Sequence, residues 1–117
     1  MGIGPDDGIR VIKADGDLAW EEVPRPDGDA NPPGEEIAVF RSADAKFSTG
    51  FWRRVPEEGP MEPPYHEIAL ILEGEVTERD GTVHYVGPGD VLITPNGSKA
   101  TWKALSPVRK LWAIYKE

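Results

Sequence analysis

From Glu36 onward the apolar residues come in short runs, alternating with polar neighbours and separated by clusters of glycine, proline, asparagine and aspartate. Ile37–Phe40 and Phe47–Val55 come first. A Pro/Glu stretch, Pro56–Pro64, follows and reads as a loop. Glu67–Leu72 runs into Gly74, and Glu75–Arg79 meets Asp80-Gly81, a two-residue hairpin signal because both residues tolerate positive φ. Thr82–Val86 leads to Gly87-Pro88-Gly89-Asp90, and Val91–Thr94 leads to Pro95-Asn96-Gly97. Thr101–Leu105 and Val108–Tyr115 complete the set. Strands this short and this regularly punctuated predict an all-β sandwich or barrel. No segment keeps a helical period over three turns, and there is no internal repeat and no nucleotide-binding glycine loop.

Residues 1–36 are of a different kind. They hold ten acids and three bases, against eleven acids and ten bases in residues 37–117. Pro24, Pro26, Pro32, Pro33 and Gly34 can neither propagate a helix nor fill a central strand. The chain therefore divides into an irregular acidic arm, 1–36, and a barrel, 37–117. Ile9–Lys13 is the one stretch of the arm that can add an edge strand. The arm either lies across the barrel or a neighbouring subunit, or extends as a solvated tail.

Composition narrows the function classes. A chain of 117 residues suits one domain. With 21 acidic and 13 basic side chains it would repel phosphates, which excludes nucleic acid and anionic membrane surfaces as expected partners. Cysteine is absent, so thiolate nucleophiles, disulfides and Cys-ligated zinc are excluded, and a reducing cytoplasm is the expected compartment. No apolar run approaches the roughly 18 residues of a membrane-spanning helix. Met1–Arg10 has no apolar stretch and reads as no signal peptide, and Asp6 stands where N-myristoylation wants Ser or Thr.

Two segments carry a resemblance. Glu67 to Gly74, with six residues between acid and glycine, resembles the second half of the first signature of the cupin superfamily. Gly87-Pro88-Gly89-Asp90 through Pro95-Asn96-Gly97 resembles the second signature. Gly50 and Trp52, Glu67 before Leu72-Glu73-Gly74, Trp102 and Pro107-Val108-Arg109-Lys110 are similar to the small single-domain branch of ethanolamine-utilisation and ureidoglycine-aminohydrolase-like cupins. The likeness spans Phe47 to Lys116. It implies a double-stranded β-helix, an RmlC-like jelly-roll barrel open at one end, and a homodimer.

Metal-binding cupins hold their ion with two His and a Glu from the first signature and a His from the second. Here Glu67 matches the Glu. The two first-signature His positions fall on Met61 and Pro63, or on Pro60 and Glu62, and the second-signature position falls on Ala100. One carboxylate without imidazoles does not retain a divalent transition metal against water, so no cofactor is expected. An unusual site from His66, Glu67 and Glu62 stays open as an alternative, although adjacent strand residues point to opposite faces, which turns His66 away if Glu67 points inward.

Alternation from Glu67 places Ala69 and Ile71 on the same face, and Ala100 shares its face with Trp102 and Ala104. The expected mouth is a small apolar hollow with Ile71, Ala100 and Trp102 in its wall and one carboxylate. Burial should push that carboxyl up and poise Glu67 for proton transfer. Tyr65 is a candidate proton or hydrogen-bond donor at the rim. Trp52 and Trp102 are either stacking walls for a ligand or core plugs. Arg54, with Arg53, Lys99 and Arg109, is a candidate for gripping a substrate carboxylate, or else pairs with surface acids. The sequence thus points to a metal-independent cupin that binds or transforms a small polar metabolite by isomerase, dehydratase or lyase chemistry. The alternatives are a non-catalytic binding module, in which Glu67 only closes the barrel end, and a metal enzyme with nonstandard ligands.

Overall fold

The computed structural model describes residues 8–23 and 34–117. Among them are ten strands and no helix: β1 (Glu21–Val23), β2 (Gly34–Arg41), β3 (Phe47–Arg54), β4 (Glu58–Met61), β5 (His66–Glu73), β6 (Val76–Arg79), β7 (Val83–Val86), β8 (Val91–Thr94), β9 (Ala100–Ala104) and β10 (Val108–Tyr115). They form two antiparallel sheets, one in the order β1-β2-β3-β10-β5-β8 and one in the order β4-β9-β6-β7. This is an all-β jelly-roll: the short punctuated runs predict an all-β sandwich or barrel, and the cupin resemblance implies the jelly-roll.

Strand alternation decides which side chains meet. Ala69 and Ile71 of β5, Val76 of β6, Trp102 and Ala104 of β9 and Val108 of β10 are buried. Ile71, Val76, Val86, Trp102, Ala104 and Val108 form one apolar cluster, with Trp52, Met61 and Leu92 packed against it. The second cluster comprises Ile37, Val39 and Phe51, joined by Leu72 and Leu111 and by Ile12, Ala14, Leu18 and Trp20 from the arm. Phe51 and Leu111 sit in the strand phase opposite to Trp52 and Lys110, so the six-stranded sheet is covered by the arm on one face and lines the barrel with the other.

Polar contacts fasten the arm. The Arg53 guanidinium lies 4.3 Å from the Trp20 ring centroid and pairs with Glu35 at 3.0 Å. Arg109 donates to the Ala14 carbonyl and to Glu73, the latter at 2.9 Å, and Arg10 donates to the Val39 carbonyl.

Two expectations need correction. Ile9–Lys13 carries no strand; Ile9 and Val11 are exposed, while Ile12 packs against the cluster of Ile37, Val39 and Phe51, and the edge strand is instead β1 on β2. The proline run between Val23 and Gly34 lies outside the described residues. Second, the expected loop Pro56–Pro64 contains β4, which pairs with β9 from Glu58↔Lys103 to Met61↔Ala100. Pro60 is tolerated because β4 is the edge of its sheet, where a missing N–H interrupts no second ladder. The β2 strand begins at Gly34, so Glu35 and Glu36 already belong to the sheet.

Turn chemistry matches the sequence closely. Asp90 accepts the Gly87 N–H at 2.9 Å, and Gly74 holds φ at 85° where a Cβ would stand 2.2 Å from the Pro107 carbonyl oxygen. Gly50 is required by approach rather than by φ. A Cβ there would lie 2.2 Å from the Ile37 carbonyl oxygen and 2.9 Å from Cζ2 of Trp112. Gly50→Ala should therefore destabilise the fold by about 3 kcal/mol, read as a lower urea midpoint, since backbone and a packed indole must both move. An unchanged midpoint would contradict this packing.

Candidate functional site

The inward face of the large sheet and the edge of the small one enclose an open cavity of about 950 Å³. Four strands place its floor: Trp52 from β3, Glu67 from β5, Trp102 from β9 and Lys110 from β10. Glu67 Oε2 accepts from Lys110 Nζ at 2.9 Å, and the two residues are only 7% and 9% exposed. The pair reaches along the barrel, because Lys110 sits opposite Ile71 and Glu67 opposite Ile114 in the same ladder. Ala69, between Glu67 and Ile71 on the inward side of β5, leaves that route free of a large side chain.

The ammonium is also set against aromatic faces. Lys110 Nζ is 5.0 Å from the Trp52 ring centroid and 5.2 Å from that of Trp102, and these rings meet edge to face at 6.0 Å. Arg54 extends the arrangement, with its guanidinium 5.0 Å from the Trp52 centroid and paired with Glu57; both side chains are buried. Glu36, Tyr65 and Trp112 complete the inner wall.

Burial pushes the Glu36 carboxyl above the usual carboxylate range, reinforced by Glu21 across the β1–β2 ladder and opposed by Lys110. Burial likewise pushes the Tyr65 phenol up, with Glu67 and Glu36 adding to the shift, so Tyr65 keeps its O–H as a donor. Behind the floor, Glu78 of β6 stands opposite Trp102 and is 6% exposed. Burial raises its pKa first; Lys110 then lowers it, Glu67 and Asp80 raise it and His84 lowers it.

Of the candidates chosen from sequence, Glu67, Tyr65, Trp52, Trp102 and Arg54 share this one cavity. Ile71 and Ala100 do not. Ile71 is fully buried in the apolar cluster below the floor, and Ala100 at the start of β9 borders a separate depression with Glu78, His84 and Thr94. Trp102 is both wall and core, and Trp52 packs against the same cluster. Arg53 and Arg109 face the arm, and Lys99 lies 3.9 Å from Glu62. The expected lone acid is corrected as well: Glu67 is neutralised by Lys110, and Glu36 and Glu57 also border the cavity.

Sequence reasoning missed Lys110. In the sequence Lys110 stands out only as part of the Val108–Tyr115 strand and of the Pro107–Lys110 likeness, with no role in the site. Yet Val108, Lys110, Trp112 and Ile114 share one phase, and a lysine between Val and Trp in the inward phase was the available signal. His66 does turn outward. Its Nε2 meets Glu117 at 2.5 Å, its Nδ1 accepts the Asn96 N–H at 3.0 Å, and its ring stacks on Tyr115. Among the described residues no group of three or more His, Asp or Glu side chains could hold an ion. The residues present do not fit the metal of metal-binding cupins: the one matching carboxylate, Glu67, faces an ammonium instead of imidazoles.

The family model of the EutQ-like cupin domain matches residues 41–112. This chain is a EutQ-like cupin. The fold recurs in solved structures. A putative ethanolamine utilization protein Q from Salmonella typhimurium LT2 aligns with TM-score 0.66 and 22% identity, over 83% of this chain and 94% of that one. A protein of unknown function from Pseudomonas syringae pv. tomato aligns with TM-score 0.74 and 22% identity, over 83% of this chain and 44% of its own. A DUF861 family protein from Thermotoga maritima is 31% identical over 56% of this chain and 76% of that one, with TM-score 0.53. No curated protein matches the chain.

The cupin's Glu78 yields a pH prediction. Its raised folded pKa means that folding favours the protonated form. That contribution is complete below the ordinary Glu value and is lost as pH rises through the folded value. Glu78→Gln, which mimics the protonated group, should raise Tm at pH 8 and leave it unchanged near pH 4. A Tm gain of equal size at both pH values would contradict the shift.

Proposed function

We propose that this cupin takes a small polar metabolite into the barrel mouth and transforms it by proton transfer, without a metal, through Glu67. The observation that carries the reading is the Glu67–Lys110 pair, 2.9 Å apart at the floor of a tryptophan-walled cavity. Glu67 stands as the base that takes a proton from carbon next to a carbonyl. The electron pair moves to the carbonyl oxygen, where the Lys110 ammonium offsets the developing charge. Return of the proton to another carbon is an isomerisation; loss of a β-substituent is a dehydration or lyase step. Tyr65, holding its proton, is the donor at the rim. The tryptophan faces exclude water from the pair and present flat surfaces to the substrate.

The ion pair also supports a second reading, a receptor without chemistry, in which the neutralised carboxylate is a fixed part of the wall. The two separate in heavy water. With small 2-oxo acids as probes, proton NMR should show exchange of the C–H next to the carbonyl, slowed roughly a hundredfold or more in Glu67→Gln. The amide still accepts from Lys110 but leaves the ammonium without a countercharge, a loss of about 3–5 kcal/mol, so exchange is compared at a temperature below the variant's own melting transition, followed by circular dichroism. Exchange equal to buffer in the parent protein, with the probe bound equally by both proteins, selects the receptor.

A further inference from the structure

Four buried side-chain polar atoms among the described residues have no hydrogen-bond partner: Arg54 Nε, Trp102 Nε1, Trp112 Nε1 and Glu78 Oε2. Three of these are N–H donors, and all three belong to residues that line the cavity, whereas Glu78 borders the separate depression. An unpaired buried donor costs about 1–3 kcal/mol, so three in one wall are an expense that a partner from outside the chain would offset.

The rest of the inner wall has the same polarity. Lys110 is a cation with three N–H donors and gives one to Glu67. Tyr65 offers its O–H. The carboxylates deepest in the wall are already engaged, Glu67 by Lys110 and Glu57 by Arg54. Glu36 is the remaining inner acid, and Glu58 stands on β4 towards the rim. Two further cations, Arg41 and Lys116, border the mouth. An ammonium ligand would find its best acceptors taken and would sit against Lys110. A ligand with oxygen acceptors would find unpaired donors, each closed to solvent as it stands, once a small shift of its side chain opened it to the cavity.

We propose that Arg54, Trp102 and Trp112, backed by the Lys110 ammonium, form an oxygen-acceptor subsite, and that the ligand is a small organic acid carrying at least two oxygen-bearing groups. This deepens the metabolite reading above and rests on it. Two groups are required because the donors come from three strands. Trp102 stands on β9, Arg54 on β3 and Trp112 on β10, where Trp112 lies over Gly50. The guanidinium Nε edge suits a carboxylate, and indole N–H groups donate but cannot accept, which excludes ammonium groups from the same positions.

The test uses the full chain labelled with nitrogen-15, whose four tryptophans give four indole N–H signals, assigned by single Trp→Phe variants. Succinate is the probe, and 1,4-butanediammonium, with the same four-carbon length and only donors, is the control. Succinate should move the Trp102 and Trp112 signals saturably and leave Trp20, on the arm side of the sheet, in place. The diammonium should move neither. Arg54→Met combined with Glu57→Gln removes that buried pair together and should weaken succinate roughly tenfold. Trp112→Phe should weaken it comparably and serves if the double variant does not fold. Movement of the Trp102 and Trp112 signals by the diammonium overturns the donor subsite while leaving the cavity as a binding site. No saturable movement by either compound, or movement of Trp20 alone, overturns both the subsite and the metabolite reading.

Discussion

The barrel is organised around two opposite charges held together out of water. Lys110 and Glu67 sit on neighbouring strands of the large sheet and pair at 2.9 Å with little exposure. Removing one partner from such a buried pair typically costs about 3–5 kcal/mol, because the other charge is left unsatisfied. The pair is therefore weak as a source of stability and strong as a constraint: it makes the inward phase of β5 and β10 hard to alter. The ammonium draws Trp52 and Trp102 around it, pulls against the burial shifts of Glu36 and Glu78, and stands against the carboxylate that metal-binding cupins give to an ion.

A single sheet does two jobs on its two faces. In β3, Phe51 packs under the arm while Trp52 lines the cavity; in β10, Leu111 and Lys110 divide in the same way. The arm completes a core on the outer face, so cavity residues need not also close the fold there. Its anchors are mixed: apolar contact from Ile12, Leu18 and Trp20, and charged contacts from Arg53 and Arg109. Arg53 and Arg54, adjacent in sequence, point to opposite sides and serve the arm and the cavity respectively. A change in how the arm seats would be felt at β3, the strand that carries Trp52 and Arg54.

Much of this was legible from local pattern. Strand positions follow from period-two alternation and from Gly74, Gly81, Gly89 and Gly97, which all hold positive φ at turns. Outward-facing His66 and inward-facing Glu67, Ala69 and Ile71 follow from the same alternation. The β4 strand was not legible, because Gly59 and Pro60 are poor strand formers and the segment is extended only by pairing with β9, 39 to 45 residues away. Ala100 and Ile71 share the inward phase with cavity residues, but alternation fixes a face and not a depth. Ile71 lies below the floor and Ala100 at the far end of its strand.

The sequence by itself determined the class of fold, the faces of the strands, the sharp turns and the presence of Glu67, Trp52 and Trp102 on the inner side. These are properties of residues within a few positions of one another, set by sterics and by the two-residue period of a strand. Only the tertiary structure decided which inward groups touch. It brought Lys110 to Glu67 across 43 residues, turned an expected lone acid into an ion pair, and collected three unpaired N–H donors into one wall. The reason is physical: charge pairing and desolvation depend on distance through space, and closing a barrel sets those distances independently of separation along the chain.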